Sequence, residues 1–154
     1  MKLTAQEEYG LRCLIQVARR APSPDCPPVA IRDVAAAEGL SLEYAAKLMR
    51  VLRQAELVTS ERGANGGYRL ARPAGDIRLL EVLRSLDGPI VTPTFCETHS
   101  GQQKTCVHVG GCALRPVWHA IEAAVSQVLS ALSLSELMGD ERTVQRRVAS
   151  GGEG

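Results

Sequence analysis

The sequence predicts a mostly α-helical fold with one small β-hairpin, and three observations carry that expectation. Aromatic residues are only 3% of a chain that is 45% hydrophobic, so the core must be built from Leu, Val, Ala and Ile, which suits helices. Apolar residues recur at three- and four-residue spacing along several stretches, the signature of helices with one buried face. One stretch breaks that rhythm. Residues 57–60 and 68–71 are β-like and flank Glu61-Arg62-Gly63-Ala64-Asn65-Gly66-Gly67, and Asn-Gly between such segments is the strongest short-range hairpin signal. A hairpin placed after two short helices outlines a winged helix-turn-helix, here followed by a long helix suited to dimerisation.

Each element has a local cause. Thr4-Ala5-Gln6-Glu7 fits a capping box and opens a helix with Leu11, Leu14, Ile15 and Ala18 on one stripe. The run Ala21-Pro22-Ser23-Pro24-Asp25-Cys26-Pro27-Pro28 ends it. A second helix spans about 32–38 and stops at Gly39, a natural left-handed C-cap. Ser41 caps a third, running to about Ala55 with Leu42, Ala45, Leu48, Met49 and Leu52 facing inward. Two helices joined by a short Gly-containing turn make a helix-turn-helix, and the hairpin closed by Arg72-Pro73 is its wing. An amphipathic helix over 77–86 ends at Asp87-Gly88-Pro89. From about Ala113 a long helix carries Leu114, Val117, Trp118, Ile121, Val125, Val128, Leu129 and Leu132, a seam that wants a partner. Ser133 or Ser135 caps a last helix reaching about Val148. The expected organisation is therefore a DNA-binding unit over 1–86, a cysteine-rich loop over 87–112, dimerisation and C-terminal helices over 113–148, and a frayed tail over 149–154.

The net charge of +1 carries no whole-chain sign of nucleic-acid binding. The stretch 41–72 differs, setting Lys47, Arg50, Arg53, Arg62, Arg69 and Arg72 against Glu43, Glu56 and Glu61. The N-terminus lacks the apolar core of a secretory signal, and no apolar run approaches the roughly 18 residues of a membrane span. The expected setting is the cytoplasm, where thiols stay reduced and an odd cysteine count is unremarkable.

The first turns of the third helix present Ser41, Glu43, Tyr44 and Lys47, where a helix-turn-helix reaches base edges and phosphates. That outline is common, and such residues also suit any solvated helix face. The wing tips the balance toward DNA, because Arg62 beside Gly63 can approach a minor groove closely.

Three of the five cysteines lie in one loop: Cys96, Cys106 and Cys112, spaced C-x9-C-x5-C. Cys13 fits a buried apolar thiol and Cys26 a loop thiol. The trio fits burial poorly, because Pro93, Thr94, Glu97, Thr98, His99, Gly101, Gln102, Gln103, Lys104, Gly110 and Gly111 make the loop polar. In a reducing compartment clustered thiols mean metal or catalysis more often than a disulfide. Zinc usually shows a tight C-x2-4-C pair, absent here, whereas iron–sulfur sites tolerate open spacing. His99 and His108 are potential ligands, though loop histidines are more often solvated, and His119 reads as structural. Nothing specific supports an enzyme: no nucleophile–base spacing stands out, and no C-x-x-C suggests a thiol oxidoreductase.

Taken together, these residues resemble the IscR/NsrR-type winged-helix regulators of the Rrf-two family, over nearly everything from Met1 to about Met138. Four pieces carry the likeness: Met1-Lys2-Leu3-Thr4 with residues 9–12, Ser41-Leu42-Glu43-Tyr44, the wing from Glu61 to Leu70, and the cysteine loop running into Cys112-Ala113-Leu114-Arg115. The resemblance implies a homodimer of crossed long helices that reads a palindromic DNA operator, commonly as a repressor. It also implies an iron–sulfur cluster on Cys96, Cys106 and Cys112, with 4Fe–4S favoured over 2Fe–2S, whose state reports redox, nitric oxide or iron status. Two departures matter. The first cysteine gap is nine residues where familiar members have about five, and Arg115 stands where IscR-like members place a histidine ligand. An arginine has no lone pair to offer. Other members take an acidic ligand from the partner's first helix, and Glu8 matches that position. A regulator without a cluster, answering a thiol or protein signal, and a zinc-stabilised DNA-binding protein are the alternatives.

Overall fold

The computed structural model describes residues 3–89, 91–92 and 94–151, so Met1, Lys2, Ile90, Pro93 and the last three tail positions lie outside the description. The described elements run α1 (Ala5–Arg20), α2 (Ile31–Glu38), α3 (Leu42–Gln54), β1 (Val58–Glu61), β2 (Gly67–Leu70), a 3-10 turn (Ala74–Asp76), α4 (Leu79–Asp87), α5 (Phe95–Thr98), α6 (Leu114–Ala131), α7 (Leu134–Leu137) and α8 (Glu141–Gly151). This is the mostly helical, hairpin-bearing fold expected.

The predicted caps form. The Glu7 N–H donates to Thr4 Oγ1 at 3.2 Å while the Thr4 N–H donates to Glu7 Oε2 at 2.8 Å, completing the box that starts α1. Gly39 ends α2 at φ 65°, where a side chain would be strained, and the Tyr44 N–H donates to Ser41 Oγ at 3.2 Å to start α3. Leu14 and Val17 of α1, Val34 of α2, and Leu48, Met49 and Leu52 of α3 form one buried core with Leu57, Ile77 and Val82. Leu42 is a correction: it is 54% exposed, because the first turn of α3 projects beyond that core.

The hairpin forms one residue further out than expected, pairing Val58 with Leu70 and Glu61 with Gly67, so its tip is residues 62–66. A third piece was not foreseen. Val29 and Tyr68 exchange backbone bonds at 2.9 and 2.8 Å, tying the α1–α2 connection to the wing. A Cβ at Gly67 would lie 2.4 Å from the Val29 carbonyl oxygen, which explains that glycine.

The fourth helix begins at Leu79 rather than Ile77, because residues 77–79 pair with the chain returning from α6. The Leu79 N–H donates to Leu132 O at 3.0 Å and the Leu134 N–H to Ile77 O at 2.8 Å. Leu132, Ser133 and Leu134 are buried there, Leu134 within the main core. The expected last helix is split in two around Gly139, with Asp140 capping α8 through the Thr143 N–H at 2.8 Å.

The seam on α6 divides into two faces. Val125 and Leu129 turn toward Leu80 and Leu83 of α4, and Trp118 faces Phe95, whose ring centroid is 6.4 Å away. Leu114, Val117, Ile121 and Val128 remain 57%, 48%, 38% and 50% exposed on the other. Spacings of three, four and seven residues make this second set a continuous apolar stripe.

Candidate functional site

The start of α3 and the wing tip are both open to solvent. Ser41, Glu43, Lys47, Arg62 and Gly63 are exposed, and the same face of α3 continues through exposed Arg50 and Arg53. Ser41 is already engaged as the cap, and Tyr44 is half-buried, its ring edge-on to Tyr9 at 6.1 Å. Arg12 lies 5.2 Å from the Tyr9 ring and pairs with Glu38 at 2.5 Å, which with the nearby charge holds the guanidinium above its ordinary value. Tyr44 is thus seated by α1. Three of the six cations in the basic stretch have structural work, Arg53 by donating to Ser60 Oγ at 3.3 Å. Arg69 pairs with Glu61 at 2.5 Å and donates to the Cys26 carbonyl, while Arg72 pairs with Glu81 at 2.5 Å. Gly63 has φ 111°, and the Gly66 N–H donates to its carbonyl at 3.0 Å, so glycine shapes the turn that presents Arg62.

The second feature is a cavity of about 560 Å³ between the cysteine loop and the start of α6. Cys96, Cys106 and Cys112 all line it, half-buried, and so do His99, His108 and His119, which are all the histidines of the chain. Its apolar wall is Val91, Phe95, Leu114 and Trp118. Two expectations change here: the loop has an apolar backing, and His119 faces the same space as the thiols. Sequence spacing could not show that, because His119 reaches the cavity only through the direction in which α6 leaves the loop.

His99 is held firmly. Its ring stacks on Phe95 with centroids 4.0 Å apart and planes 18° apart, and Nδ1 lies 2.8 Å from the Phe95 carbonyl oxygen. A proton on Nδ1 directed at that carbonyl leaves Nε2 with the lone pair. Glu8 is exposed on the first turn of α1 and does not line the cavity of its own chain.

The donor set and the space fit an iron–sulfur group: three soft thiols, an apolar wall on one side, and a volume within the roughly 300–1,000 Å³ of ligand sites. Among the described residues no three His, Cys, Asp or Glu side chains stand close enough to hold one metal ion. The cysteines therefore share a cavity without being drawn to a point. The other two differ in kind. Burial pushes the Cys13 thiol up to about 11, whereas hydrogen bonds with Ser23 hold Cys26 below its ordinary value.

The loop is tied to the rest of the fold through Glu122 of α6. One carboxylate oxygen accepts from Arg84 of α4 at 3.0 Å, and the other accepts from the Val91 N–H at 3.2 Å. Ser126 donates to the first oxygen at 3.4 Å and accepts from Arg84 at 3.0 Å. Burial works to raise the Glu122 carboxyl, but these donors outweigh it and hold it below the ordinary carboxylate range.

Comparison with known proteins agrees with this geometry. The family model described as Rrf2, iron-dependent transcriptional regulator, matches residues 3–140. The chain is 36% identical to protein rrf2 of Nitratidesulfovibrio vulgaris over 91% of this chain and 89% of that one. It is 33% identical to the HTH-type transcriptional regulator IscR of Vibrio atlanticus over 94% and 79%. Among solved structures, T. potens IscR superposes with a TM-score of 0.68 at 28% identity, covering 90% of this chain and 86% of that one. CymR, the global cysteine regulator of B. subtilis, does so at 0.67 and 30%, covering 90% and 96%. No helix among the described residues is long and apolar enough to cross a membrane. With a winged helix that presents Arg62 and a family match over nearly its whole length, the chain belongs to the Rrf2 family of DNA-binding transcription regulators.

Proposed function

We propose that this chain is a cytoplasmic, homodimeric regulator whose affinity for a palindromic operator is set by an iron–sulfur cluster on Cys96, Cys106 and Cys112. The observation that carries this reading is the single cavity those three thiols share with an apolar wall on α6. A lone zinc ion needs every thiolate about 2.3 Å from one centre, so its donors crowd together. A cluster offers several irons and accepts donors spread around a cavity, which favours it over zinc here. When bound, the group supplies a centre whose charge and ligation change on oxidation, nitrosylation or iron loss.

The division of labour follows the chain. Residues 1–86 read DNA, with Ser41, Glu43, Tyr44 and Lys47 in a major groove and Arg62 with Gly63 at an adjacent minor groove. Residues 87–112 hold the cluster, and 113–148 pair the subunits. Three thiolates leave one position, which we assign to Glu8 of the partner subunit. Glu8 is exposed and does not line its own chain's cavity, and a carboxylate is a harder donor than thiolate and leaves more readily, which suits a sensor. A 4Fe–4S cluster with one labile oxygen ligand is the form this donor set favours.

The test is purification without oxygen, followed by iron and sulfide analysis and the visible spectrum of wild type, Cys106→Ala and Glu8→Ala. A brown protein that loses its cluster in Cys106→Ala and holds it weakly in Glu8→Ala supports the reading. A Glu8→Ala protein identical to wild type transfers the fourth position to His99, His108 or His119. A colourless, iron-free wild type overturns the cluster. It would favour a thiol-responsive regulator, the second reading, which the likeness to CymR and the perturbed Cys26 thiol support.

A further inference from the structure

We propose that Glu122 is the positioning residue that transmits the state of the cysteine loop to the DNA-binding domain, a role that rests on the cluster reading above. Val91 belongs both to the wall of the cysteine cavity and to the hydrogen bond with Glu122, so among the described residues this carboxylate ties down the entrance of the loop. The other oxygen of that carboxylate holds Arg84. A pull on Val91 therefore acts on α4 through two oxygens of a single rigid group.

Three features make this joint a switch. Gly88, at φ 83°, separates α4 from the loop, so the loop entrance can swing without unwinding the helix. A small cavity of about 110 Å³, lined by Leu83, Arg84, Gly88, Glu122 and Ser126, gives the side chains room to reseat. The far side of α4 has no such room. It packs on α1 and α3, and at the crossing with α1 a Cβ on Gly10 would lie 2.4 Å from Leu86 Cδ2. Close-packed faces move as units rather than deform, so a shift of α4 passes to α1 and to the recognition helix.

The experiment compares operator affinity of the cluster-loaded and cluster-free dimer for wild type, Glu122→Ala, Glu122→Gln, Arg84→Ala and, as a control one residue from the joint on the exposed side of α6, Gln127→Ala. Couplings between sites are typically about 5- to 150-fold, and the ratio in Glu122→Ala and Arg84→Ala is expected to fall within about twofold of unity. Glu122→Gln keeps the shape but cannot serve both arms as an acceptor, so it should lose most of the ratio even if the alanine variant folds poorly. Gln127→Ala should keep it. A second readout needs no cluster. Amide exchange over residues 91–99 in the metal-free protein should rise in Glu122→Ala and stay unchanged in Arg84→Ala, which cuts only the other arm. A wild-type ratio carried unchanged through Glu122→Ala and Glu122→Gln, with only melting temperature lowered, makes Glu122 a structural prop and overturns the proposal. A wild-type ratio of one removes the cluster reading itself, and the transmission role with it.

Discussion

Leu86 occupies the space that Gly10 leaves open: a Cβ on Gly10 would meet Leu86 Cδ2 at 2.4 Å and Cδ1 at 2.7 Å. Gly10 is in the middle of α1, where glycine is normally unfavourable by about 1 kcal/mol relative to alanine. Gly10→Ala should nonetheless lower stability by about 1–2 kcal/mol, because overpacking at a buried crossing outweighs the gain in propensity. Urea titration checks the sign, and Gly10→Ala with Leu86→Val should recover part of the loss. A more stable single variant would show that α1 and α4 can move apart freely.

The exposed stripe Leu114, Val117, Ile121 and Val128 is the surface we assign to the dimer. Ile121→Glu should give a monomer or aggregate by light scattering and abolish binding to a palindrome, because an unpaired carboxylate in an apolar interface is strongly unfavourable. Ala123→Glu, exposed but off the stripe, should remain a dimer. An Ile121→Glu dimer with normal affinity would refute the assignment.

Arg62 and Arg69 should separate DNA contact from wing stability. Arg62→Ala should weaken specific binding by roughly 1–3 kcal/mol and reduce its salt dependence, with the fold unaffected. Arg69→Ala should instead loosen the wing, because Arg69 ties Glu61 to the α1–α2 connection. Salt titration of binding beside thermal melting distinguishes them, and an unchanged affinity in Arg62→Ala would take the wing tip out of the interface.

Acid should loosen the junction of α7 and α8. Glu136 is held near 2 by the Ser133 N–H, by Arg147 and by the Ser133 hydroxyl, against an ordinary value of 4.5. A carboxyl depressed on folding stabilises the protein fully above its unfolded value, and loses that contribution as pH falls from about 4.5 toward 2. Wild type should therefore melt higher than Glu136→Gln at pH 7, with the gap closing below pH 4.5. A gap independent of pH would mean that the charge is not what Glu136 contributes.

Much of this was legible in the chain. The capping box at Thr4 and Glu7, the stop at Gly39 and the inward set Ala45, Leu48, Met49 and Leu52 follow from short-range chemistry, and all three appear in the fold. Leu42 and the break at Gly139 were local misses, and the larger ones are long-range. Val29 pairing with Tyr68, and Ile77 pairing with Leu134, depend on segments brought together by the core, which no local pattern encodes. Splitting the α6 stripe into an α4 face and an outer face likewise required knowing what α6 packs against. In the site, the three thiols and the loop histidines His99 and His108 were visible from the sequence, but the arrival of His119 beside them and the tie through Glu122 were not.

The pairing of residues 77–79 with 132–134 gives α6 an unequal footing. Its C-terminal end is riveted into the core of the DNA-binding unit, while its first residue follows Cys112 by only two positions at the cysteine cavity. Eighteen helical residues span about 27 Å, so the helix is a rod hinged at one end and addressed at the other. In the proposed dimer two such rods lie against each other, and a small swing at the thiol end must change the angle between the two pivots. Recognition helices need a separation of about 34–36 Å to enter successive major grooves on one face of the duplex. The regulator would then control DNA by calibrating the gap between two reading heads, leaving the chemistry of each head untouched.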